Sequence, residues 1–101
     1  MKREIIFASA AGLEFNEAIL WYDDQQPGLG DEFEGEVTRV LEEIQEDPER
    51  FRLVGPTIRK ARLLRRFRRY SIFFNIQPDH IGVVSVFDVS RNPDELRQRL
   101  K

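Results

Sequence analysis

Apolar positions along this chain keep helical spacing through the first half and alternate in the second. Lys2 to Phe7, rich in Ile and Phe, reads as a short opening strand. Ser9 is placed to cap the helix that follows. Ala11, Phe15, Ala18, Ile19 and Tyr22 then recur at intervals of three and four, with Leu20 and Trp21 widening that face. Gln26-Pro27-Gly28-Leu29-Gly30 interrupts it, because proline lacks a donor and glycine loosens the backbone. A second helix is expected from about Asp31 to Asp47-Pro48. Leu29, Phe33, Val37, Val40, Leu41 and Ile44 form its buried stripe, and acidic residues lie opposite. The two helices make an antiparallel hairpin.

Glu49 to Thr57, with Gly55-Pro56, reads as a loop. Alternation then takes over. Ile58 to Leu64 is one strand. Tyr70, Ile72, Phe74 and Ile76 mark a second, with Phe73 on its other face. Gln77-Pro78-Asp79-His80 is a turn, and Ile81 to Val89 a third strand of β-branched residues. Three strands joined by short turns predict an antiparallel sheet. Asn92-Pro93 opens a short helix over Asp94 to Leu100, with Asp94 and Glu95 at its start and Arg99 and Lys101 at its end. The order β-α-α-β-β-β-(α) is α+β, a small antiparallel sheet with an N-terminal helical hairpin on one face.

At 101 residues the chain is expected to form a single domain, residues 1–101, burying about 60–70% of its unfolded surface. Charged residues make up 34% of it with both signs represented, which argues against disorder. The absence of cysteine excludes disulfides and thiolate metal sites and fits a reducing cytoplasm. One histidine argues against zinc, so no metal and no cofactor is expected. Ala8-Ser9-Ala10 imitates a signal-peptidase site. However, the apolar run before it is only Ile5-Ile6-Phe7, far short of a secretory core. No run approaches a membrane span.

Charge changes the picture most. Residues 1–57 hold 5 Lys/Arg and 14 Asp/Glu, a net of −9; residues 58–101 hold 11 and 4, a net of +7. Seven cations fall within the eleven residues 59–69: Arg59, Lys60, Arg62, Arg65, Arg66, Arg68 and Arg69. One reading is a surface that grips nucleic acid or an acidic partner. The other is an edge strand kept soluble by charge. The density of the run and the preference for Arg over Lys favour binding, since a guanidinium makes planar multidentate contacts with phosphate or carboxylate. Trp21 and Tyr22 read as packing between hairpin and sheet, and Tyr70 as core or core edge. Gly28 and Gly30 read as turn glycines, since no Lys-Ser/Thr follows to make a phosphate loop.

The ordered set Ala18-Ile19-Leu20-Trp21-Tyr22, Gln26-Pro27-Gly28-Leu29-Gly30 with Phe33, Ile58-Arg59-Lys60 through Leu64-Arg65-Arg66-Phe67 with Tyr70, then Val86-Phe87 and Arg91-Asn92-Pro93, resembles the RelE/ParE superfamily. These are toxins of bacterial type II toxin–antitoxin systems, and the likeness spans nearly the whole chain. It implies a cytoplasmic toxin that a cognate antitoxin wraps and neutralises in a hetero-oligomer. The target would be DNA gyrase in a ParE-like member, or messenger RNA on the ribosome in a RelE-like one.

The resemblance also separates these two chemistries. In a metal-independent ribosome-dependent endoribonuclease, Arg59, Arg65 and Arg91 would stabilise phosphate, with Arg62 beside them. Arginine cannot exchange the protons that such cleavage needs. Many relatives carry His where this chain has Asp88, read here as an exposed carboxylate. RelE-like members also tend to carry a late Tyr or His, and residues 92–101 hold neither. His80 reads as an exposed turn residue. A ParE-like binder needs no acid–base set, so the sequence leans that way. A non-toxic relative that keeps only antitoxin binding remains a third reading. In each case Arg59, Lys60, Arg62, Arg65, Arg66, Arg68, Arg69 and Arg91 are the expected contact residues.

Overall fold

A computed structural model describes residues 2–91 and 93–100. The expected Asn92 start of the last helix and Lys101 at its end lie outside the described residues. β1 (Glu4–Phe7) leads directly into α1 (Ser9–Gln25) and α2 (Leu29–Glu46). A 3-10 turn, β2 (Arg52–Leu53), β3 (Arg59–Arg62), a second 3-10 turn at Arg65–Phe67, β4 (Tyr70–Ile76), β5 (His80–Asp88) and α3 (Pro93–Arg99) complete the order. The α+β architecture with a helical hairpin on one sheet face is as the sequence pattern predicts.

The sheet differs from expectation in two respects. It runs β1-β5-β4-β3-β2 and is mixed, because β1 pairs with β5 in parallel. A parallel neighbour needs a long crossover, and here both hairpin helices and β2, β3 and β4 lie between the two strands. The segment expected to be a loop also contributes β2, whose Arg52 and Leu53 pair with Lys60 and Arg59. Alternation cannot reveal a strand of two residues.

Phe33, Val37, Val40 and Ile44 of α2 pack on Ile72, Phe74, Ile81 and Val83 of the sheet. On α1 the buried stripe is narrower than expected. Ala11, Ala18 and Tyr22 are buried, whereas Leu20 is 65% and Trp21 43% exposed. Ser9 does not cap α1. Ala8 holds that position and has no side-chain acceptor to offer, while its N–H donates to Val83 C=O at 2.9 Å as the strand ends.

Gly28 (φ 90°) ends the interhelical turn in a left-handed conformation, and α2 starts immediately after it, two residues earlier than expected. Gly30 allows the helices to touch: a Cβ there would lie 2.5 Å from Ile19 O. Asp23 Oδ1 accepts the Gly30 N–H at 2.7 Å, so α1 caps one of the free donors of α2.

The opposite sheet face carries a second, small apolar cluster. Ile58, Phe73 and Phe87 form it, with Leu96 and Leu100 from the α3 end of the chain packed against it.

Candidate functional site

The basic segment does not form one continuous strand. β3 alternates, so Ala61 joins the hairpin-side core, while Lys60 and Arg62 pair opposite Phe73 and Ser71. Arg59 is spent internally: its Nη1 donates to Glu49 O at 3.0 Å and Phe51 O at 2.7 Å, tying down the chain before β2. Lys60 lies between Arg52, its partner on β2, and Arg62. Partial burial, and then these two cations, lower its pKa. Arg52, in the expected loop, is thus a member of the basic surface that sequence reasoning missed.

β3 ends at Arg62, two residues before the expected end. Leu63 is fully buried and the chain then turns sharply. Arg65 is the only non-glycine among the described residues at positive φ, 59°. The turn is held from two sides. Glu36 of α2 accepts the Leu64 N–H at 2.8 Å. Phe67 drives into the core, edge-on to Tyr22 at 5.1 Å and Phe33 at 5.5 Å. This leaves Leu64, Arg65, Arg66 and Arg68 exposed on a fixed platform. Arg66 makes only a loose 3.7 Å contact with Glu32, of small energetic weight in solvent.

The remaining cations lie at the far end of β4 and β5. Arg69 donates to Asp88 Oδ2 at 3.0 Å and lies over the Trp21 ring at 5.6 Å. Arg91 sits over Phe87 at 5.8 Å and approaches Glu95 at 3.6 Å. Asp88 is buried, contrary to expectation. Its Oδ1 accepts the backbone N–H and the hydroxyl of Ser90 at 2.9 and 2.6 Å. Trp21 is a half-exposed wall rather than packing between hairpin and sheet. Together with Tyr70, Asp88 and Arg91 it lines a cleft of about 160 Å³ between α1 and β5, which Glu14, Glu17 and Ala18 complete.

The arginines are therefore displayed in three places: Arg62 beside Lys60, the platform of Arg65, Arg66 and Arg68, and the cleft with Arg69 and Arg91. Arg59 joins none of them.

Burial raises the Tyr70 phenol above its usual pKa and pushes Tyr22 to about 12, so both stay protonated at neutral pH. The Tyr22 hydroxyl has no hydrogen-bond partner among the described residues. His80 opens β5 and Asp88 ends it, so His80 stands about 26 Å from the cleft at the rise of an extended strand. Its ring contacts Asp79 at 2.8 Å. Among the described residues there is no group of His, Cys, Asp and Glu that would hold a metal, and no helix long and apolar enough to cross a membrane.

Glu14 is a second residue that sequence reasoning missed. It sits on the buried stripe of α1, between Ala11 and Ala18, and a carboxylate at such a position signals a polar partner inside. Its Oε1 accepts from Ser85 Oγ at 2.9 Å, Val86 N–H at 3.1 Å and Arg99 Nη2 at 3.1 Å.

No family model matches the sequence, and no curated protein matches it with significance. Among solved structures, a chain described as belonging to the chromosomal ParDE TA system from P. aeruginosa superposes with a TM-score of 0.73. The match covers 86% of this chain and 96% of that one, at 12% identity. The two chains share a fold.

Proposed function

We propose that this chain is the toxin of a type II toxin–antitoxin system, ParE-like in action. It arrests growth by binding a protein target such as DNA gyrase, and a cognate antitoxin neutralises it. The fold shared with the ParDE chain supports the toxin–antitoxin assignment. The basic platform supports action by binding. A buried phenylalanine and a carboxylate from α2 fix its backbone, and its guanidinium groups face solvent. Such a surface is suited to holding anionic or carboxylate-rich partners and poorly suited to moving protons.

Two assays on the purified protein test this. Incubation with gyrase and plasmid is expected to yield linearised DNA or to block supercoiling, and a ribosome-programmed transcript is expected to stay intact. Transcript cuts that disappear in Arg65→Ala would overturn the reading in favour of a RelE-like nuclease. Inertness in both assays, with tight antitoxin binding, would mark a non-toxic relative.

A further inference from the structure

Past Val83 the outer edge of β5 has no strand beside it. β1 ends at Phe7, opposite Val83, and the chain turns away into α1. β5 continues to Asp88. Two side chains occupy the first part of the vacated edge: Arg99 Nη2 donates to Val84 C=O at 2.8 Å, and Glu14 Oε1 takes the Val86 N–H.

Beyond them no described strand or side chain pairs with the edge. Tyr70 C=O accepts the Leu63 N–H, so the backbone of Tyr70 faces away from β5. Asp88 lies directly opposite Tyr70, so its backbone groups face away from β4, as those of Val86 do. The Arg91 N–H takes Asp88 C=O at 3.0 Å. Among the described residues Val86 C=O and Asp88 N–H remain without a partner, an acceptor and a donor spaced along one edge. Both residues line the cleft between α1 and β5 with Ala18 and Trp21.

We propose that this cleft receives an extended segment of a partner protein, added as a short strand along Val86–Asp88. One residue of the segment would place an apolar side chain against Ala18 and Trp21, and a neighbouring acidic residue would meet Arg91. A strand laid on a sheet edge uses such a donor–acceptor pair, and pockets beside it read the side chains. Charge selects the occupant. Arg69 neutralises Asp88 and Arg99 neutralises Glu14, whereas Arg91, lying over Phe87, has among the described residues no ion pair but its loose contact with exposed Glu95. Glu17, exposed at the α1 side, disfavours acid there and so fixes the direction of the segment. The inference rests on the chain having a protein partner, as proposed above, and not on which cellular target it meets.

Random ten-residue peptides displayed on phage test this against the whole folded chain. Selection is expected to enrich an apolar residue next to Asp or Glu. A synthetic copy of the winning peptide is expected to slow exchange of the Asp88 amide at least about tenfold, and to lose about tenfold or more in affinity on Trp21→Ala and on Arg91→Glu. Lys2→Ala, beside the opposite end of the sheet, leaves its affinity unchanged. Failure to enrich any peptide overturns the inference, as does binding indifferent to Trp21 and Arg91 or protection confined to other strands. A chain inert on gyrase and ribosomes that still binds this peptide upholds the inference and overturns the growth-arrest reading.

Discussion

Glu14 of α1 and Arg99 of α3 meet at 3.1 Å over the edge of β5, although their helices pack on opposite faces of the sheet. One carboxylate oxygen serves a hydroxyl, a backbone amide and a guanidinium there. Glu14→Ala leaves all three without their acceptor and is expected to lower unfolding free energy by about 3 kcal/mol. Urea titration measures this. In a double-mutant cycle with Arg99→Ala, the coupling is expected to be about 1 kcal/mol. Strict additivity would mean that the contact carries no energy.

The two turn glycines are expected to respond differently. Gly28→Ala keeps an open site but must hold φ at 90°, a cost of about 1–2 kcal/mol. Gly30→Ala drives a methyl against the backbone oxygen of Ile19 and the carboxylate of Asp23, and is expected to cost about 3 kcal/mol as the helices part. Thermal unfolding of the two variants gives the order. A Gly30→Ala protein as stable as the parent would show that the hairpin yields freely.

Glu36 ties the arginine platform to α2, and its pKa is lowered. The hydrogen bond from Arg39 is the largest cause, with the Leu64 amide and the charges of Arg39 and Arg65 adding to it against burial. A lowered carboxylate contributes stability that is complete above its ordinary pKa of 4.5 and is lost as pH falls through the folded value. Stability is therefore expected to decline below about pH 4.5, and to decline less steeply in Glu36→Gln. Melting temperatures at pH 7 and pH 3.5 supply the comparison. Equal slopes in the two proteins would remove Glu36 from the acid response.

Arg65 holds a left-handed backbone that its side chain disfavours. Arg65→Gly is expected to raise stability by about 1 kcal/mol and to weaken partner binding, most visibly at low salt. Chemical denaturation and titration with the antitoxin proposed above together test this. A destabilised Arg65→Gly would show that the side chain contributes more than the strain costs.

The elements that rest on repeated spacing were legible in the sequence. The stripe Phe33, Val37, Val40 and Ile44 and the alternation through Ile72 and Phe74 leave little choice of helix or strand. The pairing of β1 with β5 was hidden, because a parallel partner is set by the tertiary arrangement and carries no turn signal. The basic run misled in a specific way. Arg59 to Arg69 looks like one surface in one dimension, but buried Leu63 and Phe67 bend it around Arg65 and divide its charges. The cleft was illegible for a related reason: Trp21, Tyr70 and Arg91 come from three elements and share no spacing. Glu14 alone left a trace, an acid on an apolar stripe.

The neighbour that β1 requires is made late. Glu4 to Phe7 pair with His80 to Val83, so a nascent chain cannot seat β1 until the segment through Val83 has left the ribosome. The helical hairpin can form early, but its apolar side stays uncovered until β4 and β5 arrive. Synthesis cut short anywhere before β5 would leave that apolar side bare, a sticky fragment for proteases.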